Sequence, residues 1–391
     1  MKISNRIVRL NGEPGQSDGW SVYYRAREMK LAGEAVTMLS IGEHDRRTAP
    51  FIIDRMADSA RGGNTGYALM IGQESLRDTI AERVERMTGV PTTRDNVIVT
   101  SGGQAALFSS VCITSDPGDD LLIVDPYYTT YPSTVRAAGG VVKKVQARAE
   151  NAFQLGKDDL AAAAPGAKAL LINTPHNPTG AVYTRETLEG IAEICKAEDL
   201  WLISDEVYDS QVHEGAHLSP RALPGMAERT LVVGSMSKSH VMTGFRLGWV
   251  IGPAEVIKIA GDLLNGTTYG APGFVQDAAE TALKEGDQEE GAVAALYRRR
   301  RDKAVAALEG SPAIRISPPD GAMYVMLDIR ATGMSGEDFA LELLEQEKIA
   351  CMPGESFGEA AAGHLRVALT INDDEMVDAL QKLRAFAEGK L

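Results

Sequence analysis

The sequence predicts an α/β protein: a three-layer α/β/α large domain on a mostly parallel mixed sheet, with a smaller α+β domain. Two observations carry this. Between about 97 and 253, short apolar runs alternate with helix-like stretches; near-continuous apolar strands alternating with helices build a parallel sheet covered on both faces. Further along, strands and helices alternate in an α+β pattern, and 391 residues leave room for two domains.

The first strand is expected at 97–100, followed by Gly102-Gly103 and a helix over 105–113. The next strand, 121–124, leads into a helix from Pro126 to about Ala138. Strands follow at 141–145 and 169–173, the short alanine run 161–164 lying in a helix between them. Thr184 is a good N-cap for a helix ending near Ala197. Strands at 200–204 and 231–233 continue the series, and 247–251 reads as an antiparallel addition. In the C-terminal part the sequence predicts helices over 292–308, 336–347 and 373–387, and strands over 321–329 and 364–370. The basic run Arg298 to Arg301 is expected on a solvated helix face.

Composition narrows the function. With 54 acidic and 40 basic residues the net charge is −14, which opposes a nucleic-acid or anionic-membrane partner. No run approaches the ~18 apolar residues of a membrane span, and the first ten residues mix charge with apolar groups, unlike a signal peptide. Cys112, Cys195 and Cys351 are widely separated and odd in number. They read as reduced thiols in a cytoplasmic protein, without metal-ligand spacing.

Chemistry-bearing residues recur at strand ends. Gly102, Gly103 and Gln104 follow Thr100; Tyr127 and Tyr128 follow Asp125; Asn177 follows Asn173; Asp205 and Tyr208 follow Ser204; Lys238 follows Gly234. Ligands of open α/β sheets bind beyond the carboxyl ends of the strands, so five strand ends place these groups on one rim. Ser235-Met236-Ser237-Lys238, with Arg246 eight positions later, is the most informative segment. Desolvation favours the neutral form of an inward-pointing lysine, and a neutral amine forms a Schiff base with an aldehyde. Serine hydroxyls and an arginine suit a phosphate dianion. Aldehyde and phosphate together describe pyridoxal 5′-phosphate (PLP). Asp205 can keep the pyridine nitrogen protonated, Tyr208 and Asn177 can donate to the 3′-oxygen, and Tyr128 offers a ring face. Gly102-Gly103 exposes backbone N–H groups to the phosphate. A lone lysine is ordinarily a solvated charge and Gly-Gly equally a plain helix start; the pattern as a whole points to PLP.

Asn173-Thr174-Pro175-His176-Asn177-Pro178-Thr179-Gly180, Ser204-Asp205-Glu206-Val207-Tyr208, Ser235 to Lys238 and Arg246 resemble the fold-type-I PLP enzymes of aminotransferase class I/II, the aspartate aminotransferase-like family. The likeness runs from about Leu39 to Thr370. It implies a large PLP-binding domain over 46–289, and a small domain formed by 290–391 with the N-terminal arm 1–45. It also implies that Lys238 forms the Schiff base and moves the proton. Asp205 would pair with the pyridine nitrogen, and Asn177 and Tyr208 would hold the 3′-oxygen. Tyr128 would stack on the ring. Ser235, Ser237, Arg246, Gly103 and Gln104 would hold phosphate, with Tyr67 reaching it from the neighbouring subunit of a homodimer. Arg366 and Gly42 would hold the substrate α-carboxylate, with Asn177 beside them. Two departures are visible: His44 where the family often has proline, and Tyr128 where tryptophan or phenylalanine is frequent. The implied activity is a ping-pong transfer of an amino group from an α-amino acid to a 2-oxo acid.

Other motifs carry less. His213-Glu214-Gly215-Ala216-His217 matches a zinc-protease signature, but that motif needs a helix and Gly215 with nearby Pro220 favours a loop. Ser235-Met236-Ser237-Lys238 also fits the Ser-x-x-Lys of penicillin-binding enzymes, whose Ser-Asp-Asn and Lys-Thr-Gly partners are absent from this sequence. A carbon–sulfur lyase on the same scaffold, or a non-enzymatic amino-acid sensor, would share the cofactor residues. Asn-Pro-Thr-Gly with Asp-Glu-Val-Tyr leans toward transamination, and no basic helical appendage accompanies the chain. The preferred amino-acid side chain is not readable.

Overall fold

The computed structural model describes residues 2–12 and 19–391. Its central sheet has seven strands: β2 (Val97–Thr100), β3 (Asp120–Asp125), β4 (Val141–Gln146), β5 (Ala169–Asn173), β6 (Trp201–Asp205), β7 (Thr230–Ser235) and β8 (Gly248–Ile251). Their order is β2-β8-β7-β6-β5-β3-β4. All pairings are parallel except those of β8, antiparallel to both β7 and β2. β1 (Thr37–Met38) and β11 (Ile349–Ala350) form a two-stranded parallel sheet. β9 (Arg315–Ile316), β10 (Tyr324–Asp328), β12 (Met352–Pro353) and β13 (His364–Ala368) form a four-stranded antiparallel one.

Alternation along the large-sheet strands builds a core on each face. Successive strand side chains point to opposite faces. Leu122, Leu170 and Leu202 pack with Leu188 and Ile191 of the helix Arg185–Ala197 on one face. Their neighbours Ile123, Leu171 and Ile203 pack with Leu107 and Val111 of the helix Gly103–Thr114 on the other. Burying each such side chain stabilises the fold by about 1.5–3 kcal/mol, which pins the register: Asn173 stands opposite Asp205, and Asp205 opposite Val233. Thr184 caps its helix as expected, accepting the Thr187 N–H. A separate cluster joins both ends of the chain. Val22, Ala26, Met29 and Leu39 pack with Leu343, Val367 and Leu380 around the four-stranded sheet.

Three expectations change. The helix expected from Ala292 begins at Asp287, where Asp287, Glu289 and Glu290 oppose the positive end of the helix dipole. The helix expected from Pro126 begins only at Tyr131, leaving a turn that carries Tyr127 and Tyr128. The run Arg298 to Arg301 is not a single solvated face. Four consecutive residues exceed one helical turn, so Arg298 and Arg299 face solvent while Arg300 and Arg301 are buried. Arg300 pairs with Asp45 (2.6 Å) and Asp373 (3.0 Å), and Arg301 with Glu214 (2.9 Å). Among the described residues no helix is long and apolar enough to cross a membrane.

Candidate active site

The carboxyl ends of β2, β5, β6 and β7 open into one cavity of about 290 Å³. It is lined by Gly42, Gly103, Gln104, Tyr128, Asn177, Asp205, Tyr208, Ser235, Ser237, Lys238, Arg246 and Arg366. Tyr67 is the one residue expected in the site that its own chain keeps away. The residue is 90% exposed, and its ring meets Tyr269 edge-on at 5.0 Å.

One end of the cavity is a cationic cradle. Gly102 has φ +89°, and a Cβ there would stand 2.5 Å from an Arg246 guanidinium nitrogen, so only glycine lets the arginine approach. Arg246, itself left-handed at φ +54°, donates to the Thr243 carbonyl (2.8 Å). Ser235 Oγ accepts the Ser237 N–H (3.1 Å) and caps the short turn Met236–Ser239 that carries Lys238. Gln104, at the start of the helix Gly103–Thr114, accepts from Thr130 (3.0 Å) and donates to Thr134 (2.6 Å). Two serine hydroxyls, a helix N-terminus and an arginine converge as a phosphate requires.

At the cavity floor, Asp205 is fully enclosed. Burial pushes its pKa up to about 6, while the Tyr131 hydroxyl, donating to Oδ2 at 2.6 Å, and the Val207 N–H (3.3 Å) pull it back. A buried carboxylate of this kind suits a protonated ring nitrogen. Glu206 is tied elsewhere, to Ser204, Ser219 and His217 (2.8, 2.8 and 2.9 Å). Burial works to lower the His217 pKa, but Glu206 outweighs it and the net shift is upward. The segment 213–217 is thus a loop, and one of its histidines serves a buried carboxylate.

The open end faces the small antiparallel sheet. Lys238 Nζ donates to the Gly42 carbonyl (2.6 Å), and the Tyr208 and Tyr324 hydroxyls are 3.0 Å apart. Asn173 crosslinks the rim, accepting the Asn177 N–H (2.7 Å) and donating to the Asp205 carbonyl (2.8 Å). Arg366, in mid-β13, donates to Asn177 Oδ1 (3.0 Å) and the Ser40 carbonyl (2.5 Å). Its guanidinium lies between the rings of Tyr324 (4.4 Å) and Phe357 (4.6 Å). Burial lowers its pKa, with Tyr324, Tyr208 and Tyr128 opposing, and its buried Nε has no hydrogen-bond partner. Tyr128 stands edge-on to Tyr131. His44 is buried beside Tyr297 (2.8 Å). Burial, then the Lys238 charge, lowers its pKa to about 4.

Sequence reasoning missed Tyr131, Asn173, Tyr324 and Trp20, which also line the cavity. Tyr131 had a signal, three residues after Tyr128 at the first turn of a helix. Tyr324 had none, because a strand tyrosine reads as core.

The sequence matches the family model for aminotransferase class I and II over residues 34–383. The chain belongs to this family. It is 41% identical, over 99% of its length and 98% of the relative's, to the arginine–pyruvate transaminase AruH of Pseudomonas aeruginosa. It is 36% identical, over 93% and 94%, to the aspartate/prephenate aminotransferase of Thermus thermophilus. The solved structure of the Thermus thermophilus aspartate aminotransferase with maleate superposes with a TM-score of 0.91 at 33% identity, over 99% of this chain and all of that one. The fold is that of PLP fold type I, and the protein is an aminotransferase of a PLP-dependent family, acting on amino-acid and 2-oxo-acid substrates.

Proposed function

We propose that this aminotransferase holds PLP through Lys238 and transfers the amino group of an α-amino acid to a 2-oxo acid at the cavity described above. The convergence of Lys238 and Asp205 from the parallel sheet with Arg366 from the antiparallel sheet carries the reading. When bound, PLP supplies an aldehyde and an electron-withdrawing pyridinium ring. Ser235, Ser237, Arg246, Gly103 and Gln104 bind its phosphate. Asp205 keeps the ring nitrogen protonated, Asn177 and Tyr208 donate to the 3′-oxygen, and Tyr128 stacks on the ring. Arg366 grips the substrate α-carboxylate with its planar fork beside Gly42 and Asn177. This directs the α-hydrogen toward Lys238 Nζ, which takes that proton as the general base and returns it as the acid.

The reading includes a homodimer in the cytoplasm in which Tyr67 completes the neighbouring phosphate site. The exposure of Tyr67 and the adjacent Leu69 and Tyr269 supports it. The division into 46–289, and 290–391 with the arm 1–45, is supported by the separate cores of the two larger sheets. A donor lacking a side-chain carboxylate is favoured. Among the described lining residues the cations are Lys238, Arg246 and Arg366, each already engaged, while Glu43 stands at the mouth. The likeness to AruH supports arginine as donor and pyruvate as acceptor. Borohydride reduction of the loaded enzyme, followed by peptide mass analysis, should find the pyridoxyl group on Lys238. Labelling of another lysine would refute the assignment.

A further inference from the structure

We propose that Tyr324 is a positioning residue that joins the cofactor side of the site to the carboxylate-binding side. The inference rests on the roles given above to Tyr208 and Arg366. Tyr324 lies on β10, 2% exposed, and meets Tyr208, Arg366 and Gly42.

Its hydroxyl is 3.0 Å from that of Tyr208. Tyr208 has one proton. If that proton goes to the cofactor 3′-oxygen, Tyr324 is the donor in the pair, and an accepted hydrogen bond makes Tyr208 a stronger donor in turn. The ring does separate work. Tyr324 pairs with Ala368 and Met326 with Arg366 across β10 and β13, so Tyr324 and Arg366 are diagonal neighbours, a spacing that long and aromatic side chains bridge. The Arg366 guanidinium sits 4.4 Å from the ring centroid, where the electron-rich face favours the cation. The same hydroxyl occupies the space above Gly42, whose Cβ would stand 1.9 Å from it. Gly42 is the residue whose carbonyl receives Lys238 Nζ.

A buried core tyrosine would also seek a partner for its hydroxyl. The two roles separate in the pH titration of the bound cofactor's absorbance, which a purely structural role does not move. Hydrogen bonding to the anionic 3′-oxygen favours loss of the proton it shares, so weakening it raises the midpoint. Tyr208→Phe should raise the midpoint, and Tyr324→Phe should raise it by about half a pH unit, the scale of one hydrogen bond. The double variant should match Tyr208→Phe alone, because Tyr324 acts through Tyr208. Tyr324→Phe keeps the ring and should leave KM for amino acids unchanged. Tyr324→Leu removes it and should raise KM about tenfold. A wild-type midpoint in Tyr324→Phe, with Tyr208→Phe shifted, overturns the inference and leaves the cofactor reading standing. A double-variant shift equal to the sum of the single shifts also overturns it. No shift in Tyr208→Phe removes both. If Tyr324→Leu fails to fold, the Tyr324→Phe titration still decides.

Discussion

The two sides of the active site are built on different principles. On the parallel sheet, the functional groups sit in turns just past strand ends: Gly103 after β2, Asn177 after β5, Asp205 and Tyr208 at and after β6, Lys238 after β7. They are held by backbone and polar crosslinks such as that of Asn173. On the antiparallel sheet, Arg366 in mid-β13 and Tyr324 at the start of β10 are buried strand side chains, the guanidinium lying over the ring. The first arrangement surrounds a ligand with many short contacts. The second delivers one long cation to a fixed point. Because the two rest on separate sheets that meet at Tyr208 and Tyr324, Lys238 and Asp205 on one side and Arg366 on the other should be breakable one at a time.

The largest effect is expected on the parallel side. Lys238→Ala should lower turnover by about 10³-fold or more, since proton transfer and covalent attachment both vanish, while PLP still binds noncovalently. Retained turnover in stopped-flow assays would separate Lys238 from the chemistry.

Asp205→Asn should come next, with turnover reduced about 10²–10³-fold, the scale of an unpaired buried charge. Its stability effect has the opposite sign. The folded-state pKa lies at about 6, above the ordinary carboxylate value. Between these values the folded chain holds more protons than the unfolded chain, so this group costs stability as pH rises. The cofactor-free Asp205→Asn protein should therefore melt higher than wild type at pH 8, and the difference should shrink as pH falls from 6 to 4. Equal melting temperatures at pH 8 would show that Asp205 is relieved by its hydrogen bonds.

The antiparallel side should be selective. Arg366→Lys supplies charge but not the fork, and should weaken transition-state binding of α-amino acids by at least ~2 kcal/mol. PLP affinity should be unchanged, and amines without a carboxylate little affected. Equal losses for amines and amino acids would dissolve the contrast between the two sides.

The smallest effect concerns Tyr67, on neither side within its own chain. Sedimentation should give a dimer, and Tyr67→Phe should weaken PLP binding about fivefold, one hydrogen bond's worth. An active monomer would remove the shared site.

Much of this was legible in the chain itself. Strands such as Ala169–Asn173 were visible because two-face burial demands unbroken apolar runs, and Lys238, Asp205 and Asn177 because a parallel sheet sends its polar turns to one edge. The residues that were not legible share a cause. Arg300 and Arg301 read as solvated because charge says nothing of which side of a helix meets Asp45 and Asp373. Tyr131 and Tyr324 read as aromatic bulk because their hydroxyls find Asp205 and Tyr208 only across 74 and 116 residues of chain.

Sequence by itself determined the fold class and the rim on which the polar strand-end residues gather, since period, strand ends and residue type are local properties. Tertiary structure alone decided that Arg366 reaches Asn177 and Ser40, that Tyr324 stands between Tyr208 and Arg366, and that Tyr67 faces outward. Those depend on how one sheet packs over the edge of another, which no local pattern encodes.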